Sequence, residues 1–314
     1  MKPRFLVLLI SCLTGMSSGC GGSGSNTGSP TVSGRSGTDE TRITLKVTDA
    51  PIDGVTNVWV QFSAIEIKPA DGDAIRFDLA SPRTIDLLSL TGTRSEALLD
   101  NEVVPAGEYE WVRLMVNAED GVQDSYVRLS NGSEPELEIP SGSNTGLKLN
   151  HGFTAEAATP LHVTIDFDLR KSITVTGGGR YIMSPVLNLV EDKDTGSLSG
   201  TVDVSLLTGA GCSDADPATG NAVYVYSGDN IVPDDIANSY TGPYTTTTIS
   251  YNAESGDYEY EVGFLPEGEY TVAFTCAADD DELNSNDDID FVILMNDVEV
   301  ENEDDEDEDD NMFR

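Results

Sequence analysis

The sequence predicts an all-β protein built from two sandwich-like domains. Apolar and polar residues alternate in short runs, as at Ile43, Leu45 and Val47, which is the period of a half-buried strand. Clusters of Gly, Asp, Asn and Ser separate these runs and predict turns, for example at 71–73 and 177–179. No long stretch has the period of a helix, so strands must account for the fold.

The first domain is predicted to span 41–192. Its predicted strands lie at 43–47, 58–67, 75–79, 84–90, 109–116, 126–129, 136–139, 147–149, 161–169, 173–176 and 181–190. In the second of these strands the alternation changes phase at Ser63 and Ala64, which predicts a β-bulge because a slip of one residue reverses the faces. Residues 95–100 are expected to form one or two helical turns.

The polar stretch 191–196 has no hydrophobic pattern and predicts a domain boundary, so the second domain is placed at 197–299. Its predicted strands lie at 202–206, 223–225, 258–264, 270–274 and 291–298, with a helical turn at 234–238. Nine of the ten residues from 301 to 310 are acidic. Such a run repels itself, so 300–314 is predicted to be a disordered tail.

One short motif occurs in both domains. Residues 104–109 (VPAGEY) and 265–270 (LPEGEY) share an apolar residue followed by Pro, any residue, Gly, Glu and Tyr. Pro fixes φ at the first turn position and Gly supplies a positive φ two residues later. The motif predicts a tight turn into a strand whose buried face begins at Tyr, and it favours two related modules.

The charge of the chain excludes two classes of partner. The 314 residues include 56 Asp and Glu against 17 Lys and Arg, a net charge of −39. A surface this negative is repelled by phosphate backbones and by anionic lipid head groups, so nucleic-acid binding and electrostatic membrane binding are not expected. The two His residues leave little material for a His-based metal or catalytic centre.

Residues 1–19 are predicted to be an export signal. Lys2 and Arg4 precede an apolar stretch that begins at Phe5, and small residues precede Cys20. This pattern resembles a bacterial lipoprotein signal, which implies a lipid on Cys20, and Gly21 resembles the residue that follows the Cys in lipoproteins sorted to the outer membrane. The alternative is ordinary cleavage that leaves Cys20 free. Residues 20–40 are rich in Gly and Ser and predict a flexible tether.

Residues 47–53 (VTDAPID), 58–67, 86–92 and 105–114 resemble an uncharacterised family of Gram-negative lipoprotein domains, a domain of unknown function, over about 42–190. The most specific element is the turn formed by Asp49, Pro51 and Asp53. The family implies architecture and cellular context but no activity.

Residues 200–202, 222–225, 255–258 and 265–270 resemble the prealbumin-like modules called carboxypeptidase regulatory-like. This resemblance implies a non-catalytic sandwich of seven strands that serves as a spacer or a binding platform. Cys212 and Cys276 lie within this domain and, in an exported protein, predict a disulfide. A two-Cys metal site is the alternative, but no further Cys or His accompanies the pair.

Acidic clusters raise the hypothesis of a calcium site, since Ca²⁺ takes six to eight oxygen ligands. The candidate ligands are Asp279, Asp281, Asp287 and Asp288. Asp49 and Asp53 are a second candidate pair. A solvated acidic surface is the favoured interpretation for the first set, and capping of the turn is favoured for Asp49 and Asp53. Calcium is the only cofactor that the sequence suggests.

Two further surfaces are candidate sites. His162, Thr164, Asp166 and Asp168 alternate on one side of a predicted strand and form a potential metal or sugar site, although a solvated strand face is favoured. A sugar-stacking surface would be made by Trp59, Trp111, Tyr240, Tyr244 and Tyr251, although the two tryptophans more simply cover a sheet face.

The functional hypothesis is an exported, lipid-anchored protein of the outer membrane that acts as a non-catalytic binding or structural module. Its expected partners are the membrane, through the lipid alone, and a carbohydrate or another envelope protein. One alternative is a calcium-stabilised carbohydrate-binding or adhesion protein. A hydrolase that uses carboxylates is disfavoured, since no nucleophile elbow, phosphate loop or zinc-ligand spacing is present in the sequence.

Overall fold

A computed structural model describes residues 39–52, 55–140, 142–209, 212, 219–236, 242–282 and 285–302. The predicted signal peptide, Cys20, most of the tether, Asp53, Tyr240 and the acidic tail after residue 302 lie outside the described residues. The fold is all-β, as predicted. Among the helices of the described residues, none has the length and apolar content needed to cross a bilayer.

The N-terminal region (residues 39–194) contains thirteen strands within the residues that the structure describes. They are β1 (Glu40–Ala50), β2 (Val55–Pro69), β3 (Ile75–Asp86), β4 (Glu96–Pro105), β5 (Gly107–Asn117), β6 (Tyr126–Leu129), β7 (Leu137–Glu138), β8 (Leu147–Leu149), β9 (Phe153–Ala155), β10 (Leu161–Asp168), β11 (Ile173–Val175), β12 (Tyr181–Met183) and β13 (Leu187–Glu191). Short helical segments lie at Leu87–Leu90, Gly142–Thr145 (α1), Leu169–Ser172 (α2) and Asp192–Asp194.

The C-terminal region (residues 195–302) contains seven strands among its described residues. They are β14 (Thr195–Val202), β15 (Ala222–Ser227), β16 (Thr245–Thr248), β17 (Ser250–Tyr251), β18 (Tyr258–Pro266), β19 (Gly268–Thr275) and β20 (Phe291–Val300). The helix α3 (Val204–Leu207) follows β14.

Two main sheets enclose the core of the N-terminal region. One has the order β13-β10-β1-β4, in which β1 and β10 are parallel, and the other has the order β3-β2-β5-β8, with β6 and β9 pairing at its sides. The apolar faces of both sheets meet, as in the edge-to-face contact between Phe62 and Phe167, whose ring centroids are 6.2 Å apart. The register of β2 shifts between Phe62 and Ala64 against both neighbours, which confirms the predicted bulge.

The C-terminal region is built from the sheets β14-β18-β17 and β16-β15-β19-β20. Side chains such as Tyr260, Val272 and Phe274 are buried in its core. Cys212 and Cys276 form a disulfide with Cα atoms 5.4 Å apart, which confirms the predicted pairing. This bridge ties the segment after α3 to the end of β19.

The two regions form one compact unit. Their buried apolar residues nevertheless fall into separate clusters, one within 43–189 and two within 198–300. Polar contacts cross between the regions: Lys171 Nζ donates to the carbonyls of Pro243 (2.5 Å) and Tyr244 (3.0 Å), and Arg170 donates to that of Ala278 (2.8 Å). The place where the N-terminal and C-terminal regions contact each other is called the junction below.

Four local predictions are wrong. Residues 181–190 do not form one strand, because β12 ends at Met183 and β13 begins at Leu187 in a different sheet, with Pro185 between them. Residues 75–90 do not form two strands, because β3 is continuous and residues 87–90 are helical. Phe62 of β2 pairs with Arg83, and Ala64 pairs with Asp78, so the residues of β3 between these two pairs form an outward bulge. Residues 95–100 are not helical, because most of this segment is in β4, which pairs with the long strand β1. Residues 202–206 do not stay extended, because the Asp203 side chain accepts a hydrogen bond from the Ser205 amide (2.7 Å) and caps α3.

Candidate functional site

A cleft of about 570 Å³ lies at the junction. Its lining comes from the turn after the helical segment 87–90 and from β14, β16, β17 and β18: Thr91, Gly92, Arg94, Ser199, Gly200, Thr201, Thr247, Thr248, Ser250, Glu259, Tyr260 and Glu261. Serine and threonine hydroxyls dominate this lining, and two carboxylates and one guanidinium supply its charges. No sequence pattern indicates this cleft, because its residues are far apart along the chain.

Glu261 holds the two sides of the cleft together. Its carboxylate accepts hydrogen bonds from the backbone amide and from the hydroxyl of Thr93, both at 3.3 Å. Behind it, Gly263 lies against the same turn, and a Cβ added there would come within 2.7 Å of the Gly92 carbonyl oxygen. The close approach of β18 to the turn therefore requires glycine at this position.

The second carboxylate of the cleft is ionised. Glu259 accepts hydrogen bonds from the Asn252 side-chain amide (2.9 Å) and the Ser255 hydroxyl (2.8 Å). These hydrogen bonds favour the charged form and lower the pKa of Glu259 below its usual value. Glu259 is thus a hydrogen-bond acceptor in the cleft and is poorly suited to donate a proton to a substrate.

Two carboxyl groups with raised pKa, those of Asp49 and Asp166, lie behind the cleft and line a cavity of only about 20 Å³. Burial is the main cause of both raised pKa values. The next cause for Asp49 is the negative charge of Asp166 and Asp168, and the next cause for Asp166 is the negative charge of Asp168. The pKa of Asp49 is raised well above its usual value, and that of Asp166 to about 7. This cavity is too small for an organic substrate, for which pockets of roughly 300–1,000 Å³ are typical.

The favoured interpretation of the polar side of β10 as a solvated face is wrong for three of its four residues. Thr164 is fully buried and donates to Asp192 (2.6 Å). Asp168 is fully buried, caps α2 by accepting from the Lys171 amide (3.0 Å), and pairs with Lys171 Nζ (3.0 Å). Asp166 is half-buried at the junction. The C-terminal region and the segment at 192–194 cover this face, which no local pattern could indicate.

His162 alone remains exposed on that side of β10. It lies in a separate surface groove of about 480 Å³, whose lining includes Glu156, Glu191, Asp192 and Lys193. The four residues that the sequence placed in one row therefore belong to different environments.

The predicted turn residues Asp49 and Pro51 are both buried. Asp49 does not cap the turn as expected, because neither of its carboxylate oxygens has a hydrogen-bond partner. The backbone N–H of Leu169 acts to lower the pKa of Asp49, but it makes no hydrogen bond of normal geometry with the carboxylate. The carboxyl instead lines the small cavity at the junction.

The structure brings together only part of the predicted calcium set. Asp281 and Asp287 lie with Asp235 in a group whose carboxylate oxygens are within 4.8 Å of one another. Asp279 and Asp288 are exposed and are not part of the group. Asp235 was not among the predicted ligands, because it is far from the others along the chain and enters the group through the loop after β15.

Protein donors already contact this group. Asp281 accepts from the Tyr224 hydroxyl (2.6 Å) and from the Ile236 amide (3.3 Å), while the amide of Asp287 donates to Asp235. Burial raises the pKa of Asp281, whereas the hydrogen bond from Tyr224 and the charge of Arg170 lower it. The group could hold an oxygen-liganded cation, but its hydrogen bonds also explain it as a folded loop.

The aromatic residues do not form one surface. Trp59 stacks on Tyr126 with centroids 6.2 Å apart. Trp111 contacts the cations of Arg113 (4.7 Å) and Lys148 (4.8 Å). Each tryptophan thus packs against side chains of its own sheet. The predicted partners of these tryptophans lie elsewhere: Tyr244 packs edge-on against Tyr270, and Tyr251 is exposed beside Tyr258.

A family model described as "Domain of unknown function (DUF4382)" matches part of the chain. Residues 40–185 match this domain. The match confirms the predicted domain of unknown function in the N-terminal region, and the DUF4382 segment holds Asp49, Asp166 and the 91–94 turn of the cleft. No curated protein is similar to the chain at a significant level.

The solved structures with weak similarity to the chain include three from Bacteroides and Parabacteroides. A leucine-rich repeat protein from Bacteroides thetaiotaomicron is 11% identical with a TM-score of 0.17, and the match covers 83% of this chain but only 24% of that protein. A candidate adhesin from Bacteroides ovatus is 9% identical, with a TM-score of 0.20 and 82% of each chain covered. A candidate cell adhesion protein from Parabacteroides distasonis is 12% identical, with a TM-score of 0.21 and coverage of 74% and 79%.

Proposed function

We propose that the chain is an exported outer-membrane lipoprotein whose β regions act as a non-catalytic binding module. The observation that carries the proposal is the hydroxyl-rich cleft at the junction, which is open to solvent and large enough for a small polar ligand. The export pattern of residues 1–20 supports the location. The disulfide agrees with it, since structural disulfides persist in oxidising compartments.

The lining of the cleft suits a neutral polyhydroxylated ligand such as a surface glycan. Thr201, Thr248 and Ser250 can donate and accept hydrogen bonds, and Arg94 can donate. The charged Glu259 accepts hydrogen bonds from hydroxyl groups but repels anionic ligands. The strong negative charge of the whole chain acts in the same direction.

A hydrolase finds less support. Hydrolysis of a glycoside commonly uses two carboxyl groups, one of them a proton donor with a raised pKa. In the cleft, the pKa of Glu259 is lowered by its hydrogen bonds. The carboxyl groups of Asp49 and Asp166 do have a raised pKa, but they line a cavity that is too small to hold a sugar. Binding without turnover is therefore the function that the geometry supports best.

Glycan binding can be tested on the full chain with an array of neutral and acidic oligosaccharides, followed by calorimetry on the hits. We expect Thr201→Val and Glu259→Gln to weaken binding of a neutral glycan. Thr174→Val on β11, outside the cleft, is the matched control and should leave binding unchanged. Equal binding by all variants, or hydrolysis of the bound glycan, would contradict the proposal.

The lipid anchor needs a separate test. Cells that produce the wild-type chain or Cys20→Ser can be labelled with an alkyne fatty acid and fractionated. We expect label and outer-membrane recovery for the wild type only. A labelled Cys20→Ser chain, or a wild-type chain that stays in the cytoplasm, would refute the proposed location.

Calcium is proposed as a ligand of the Asp235, Asp281 and Asp287 group, where it would stabilise the loops around a binding surface. Three carboxylates provide the hard oxygen ligands that Ca²⁺ prefers. Asp287→Asn should abolish any rise in melting temperature that this group causes with CaCl₂. If the melting temperatures of the wild type and the variant rise equally with CaCl₂, this group does not bind calcium.

A further inference from the structure

The small cavity at the junction is lined by polar side chains from both regions. Asp49 and Asp166 come from the ends of β1 and β10 in the N-terminal region, and Thr246 comes from β16 in the C-terminal region. The cavity, of about 20 Å³, has room for one particle the size of a water molecule.

Three buried oxygens at this cavity have no hydrogen-bond partner in the described part of the chain. Asp49 is 4% exposed and neither of its carboxylate oxygens accepts a hydrogen bond. The side chain of Thr246 is 1% exposed, and its hydroxyl also lacks a partner. Buried polar atoms are nearly always satisfied in folded proteins, so a ligand is needed to complete this arrangement.

The charges around the cavity determine whether that ligand carries a positive or a negative charge. The ammonium group of Lys171 is the cation whose charge acts on Asp166, but it already pairs with Asp168 and donates to the carbonyls of Pro243 and Tyr244. Asp86 adds a further negative charge near Asp49, and Glu261 also lines the cavity. The carboxylates of Asp49 and Asp166 are costly to bury in their ionised form unless a cation pairs with them, so the arrangement favours a positively charged ligand.

We propose that Asp49, Asp166 and Thr246 bind one hard divalent cation, for which Ca²⁺ is the probe. Two carboxylates balance its charge, and oxygen-only ligands are those that Ca²⁺ and Mg²⁺ take. No His or Cys lines the cavity, so a softer transition metal is disfavoured. Because Thr246 belongs to the other region, the ion would fasten the DUF4382 domain to the C-terminal region.

This site differs from the group of Asp235, Asp281 and Asp287. In that group the carboxylates accept hydrogen bonds from protein donors, whereas neither oxygen of Asp49 accepts a hydrogen bond of normal geometry. The two sites do not share a residue. The site at the junction also does not depend on glycan binding, so it can fail or hold independently of the proposed function.

The experiment uses the full chain with Asp287→Asn, which disables the other acidic group. After treatment with EDTA, the protein is titrated with CaCl₂, and separately with MgCl₂, by calorimetry and by thermal unfolding. We expect one ion per chain and a melting temperature that rises with ion concentration, because the ion binds only the folded state. No heat and no rise at millimolar Ca²⁺ or Mg²⁺ would overturn the proposal.

Variants then locate the ion. Addition of Asp49→Asn to the Asp287→Asn chain should weaken the affinity for the ion by about tenfold or more, since loss of a second-sphere partner alone has effects of that size. Thr246→Val removes one neutral oxygen and should weaken the affinity less. If Asp49→Asn does not fold, Thr246→Val decides the matter. Unchanged affinity in either folded variant would overturn the proposal.

Discussion

The hydroxyl of Tyr270 donates a hydrogen bond of 2.7 Å to the carbonyl of Pro266, four residues earlier in the chain. Tyr109 makes the same bond, also 2.7 Å, to the carbonyl of Pro105 in the other region. Each tyrosine thus closes the tight turn that precedes its own strand. Bonds of this kind, from a buried tyrosine back to the main chain, are known from tyrosine corners in β-sandwiches.

We expect Tyr109→Phe and Tyr270→Phe each to lower the free energy of unfolding by about 1 kcal/mol, the usual net value of one hydrogen bond. The rings stay buried, so only the hydroxyl bond is lost. Urea denaturation followed by circular dichroism measures the change. Tyr251→Phe is the control, because Tyr251 is 58% exposed and should show no effect. Equal stability of all three variants would show that the two bonds are unimportant.

These turns could be predicted from the sequence because all their determinants are local. The motif of Pro, Gly, Glu and Tyr specifies a turn wherever it occurs, and Gly107 (φ +143°) and Gly268 (φ +149°) have the positive φ that the motif predicted. The bulge at Ser63 and Ala64 follows in the same way from a change of phase within one strand. The disulfide pairing was predictable since no other cysteine lies in either domain.

The cleft and the buried carboxylates could not be predicted in this way. Asp166 and Asp168 look like polar residues on the open side of a strand, but Asp166 packs at the junction and Asp168 is covered by α2, whose Lys171 pairs with it. Asp235 joins Asp281 and Asp287 from a position 46 residues before the nearer of them. Such groupings depend on how distant segments pack, which neither periodicity nor turn chemistry encodes.

High pH should unfold the C-terminal region, and we expect its buried tyrosines to ionise as the region unfolds rather than in the folded state. Burial raises the pKa of Tyr270 to about 12, and it also raises those of Tyr226, Tyr244 and Tyr260. Below pH ~10 the hydroxyls are protonated in both states, so stability does not change. Above it the unfolded chain loses its protons first, and stability should fall by about 1.4 kcal/mol per pH unit for each such tyrosine.

This can be measured by recording tyrosinate absorbance and circular dichroism during an alkaline titration. We expect the buried fraction of the tyrosines to ionise together with the loss of β structure. Ionisation of all tyrosines near pH ~10, with the fold intact, would contradict the raised pKa values.

The disulfide should contribute strongly to stability. Cys212 and Cys276 are 64 residues apart, and a loop of that size implies a stabilisation of about 4 kcal/mol by the loop-entropy relation. We expect the Cys212→Ser/Cys276→Ser double variant to have a lower melting temperature than the oxidised wild type. Reduction of the wild type should produce a similar loss, and the double variant should not respond to reductant.

Gly263→Ala should loosen the junction. The added Cβ would lie 2.7 Å from the Gly92 carbonyl oxygen and 2.9 Å from Thr93 Cα, and both are backbone atoms that cannot turn aside. Overpacking of this kind costs about 1–3 kcal/mol. Thermal unfolding would show the loss. Gly178→Ala is the matched control, since only a hydroxyl 3.8 Å away would meet its Cβ.

Lys171 should be the most sensitive residue at the junction. Its ammonium group pairs with Asp168, which is fully buried, and donates to the carbonyls of Pro243 and Tyr244 in the other region. Lys171→Met would leave a buried carboxylate without its cation, which costs about 3–5 kcal/mol. We expect a large drop in the free energy of unfolding, measured by urea denaturation.

A second variant separates the lost ion pair from lost packing. Asp168→Asn keeps an acceptor for the Lys171 amide that caps α2 but removes the charge. The double variant Asp168→Asn/Lys171→Met should therefore be more stable than Lys171→Met alone, because no unpaired charge remains buried. If the double variant loses the sum of both single effects, the contacts of Lys171 with the two carbonyls, rather than its pairing with Asp168, stabilise the junction.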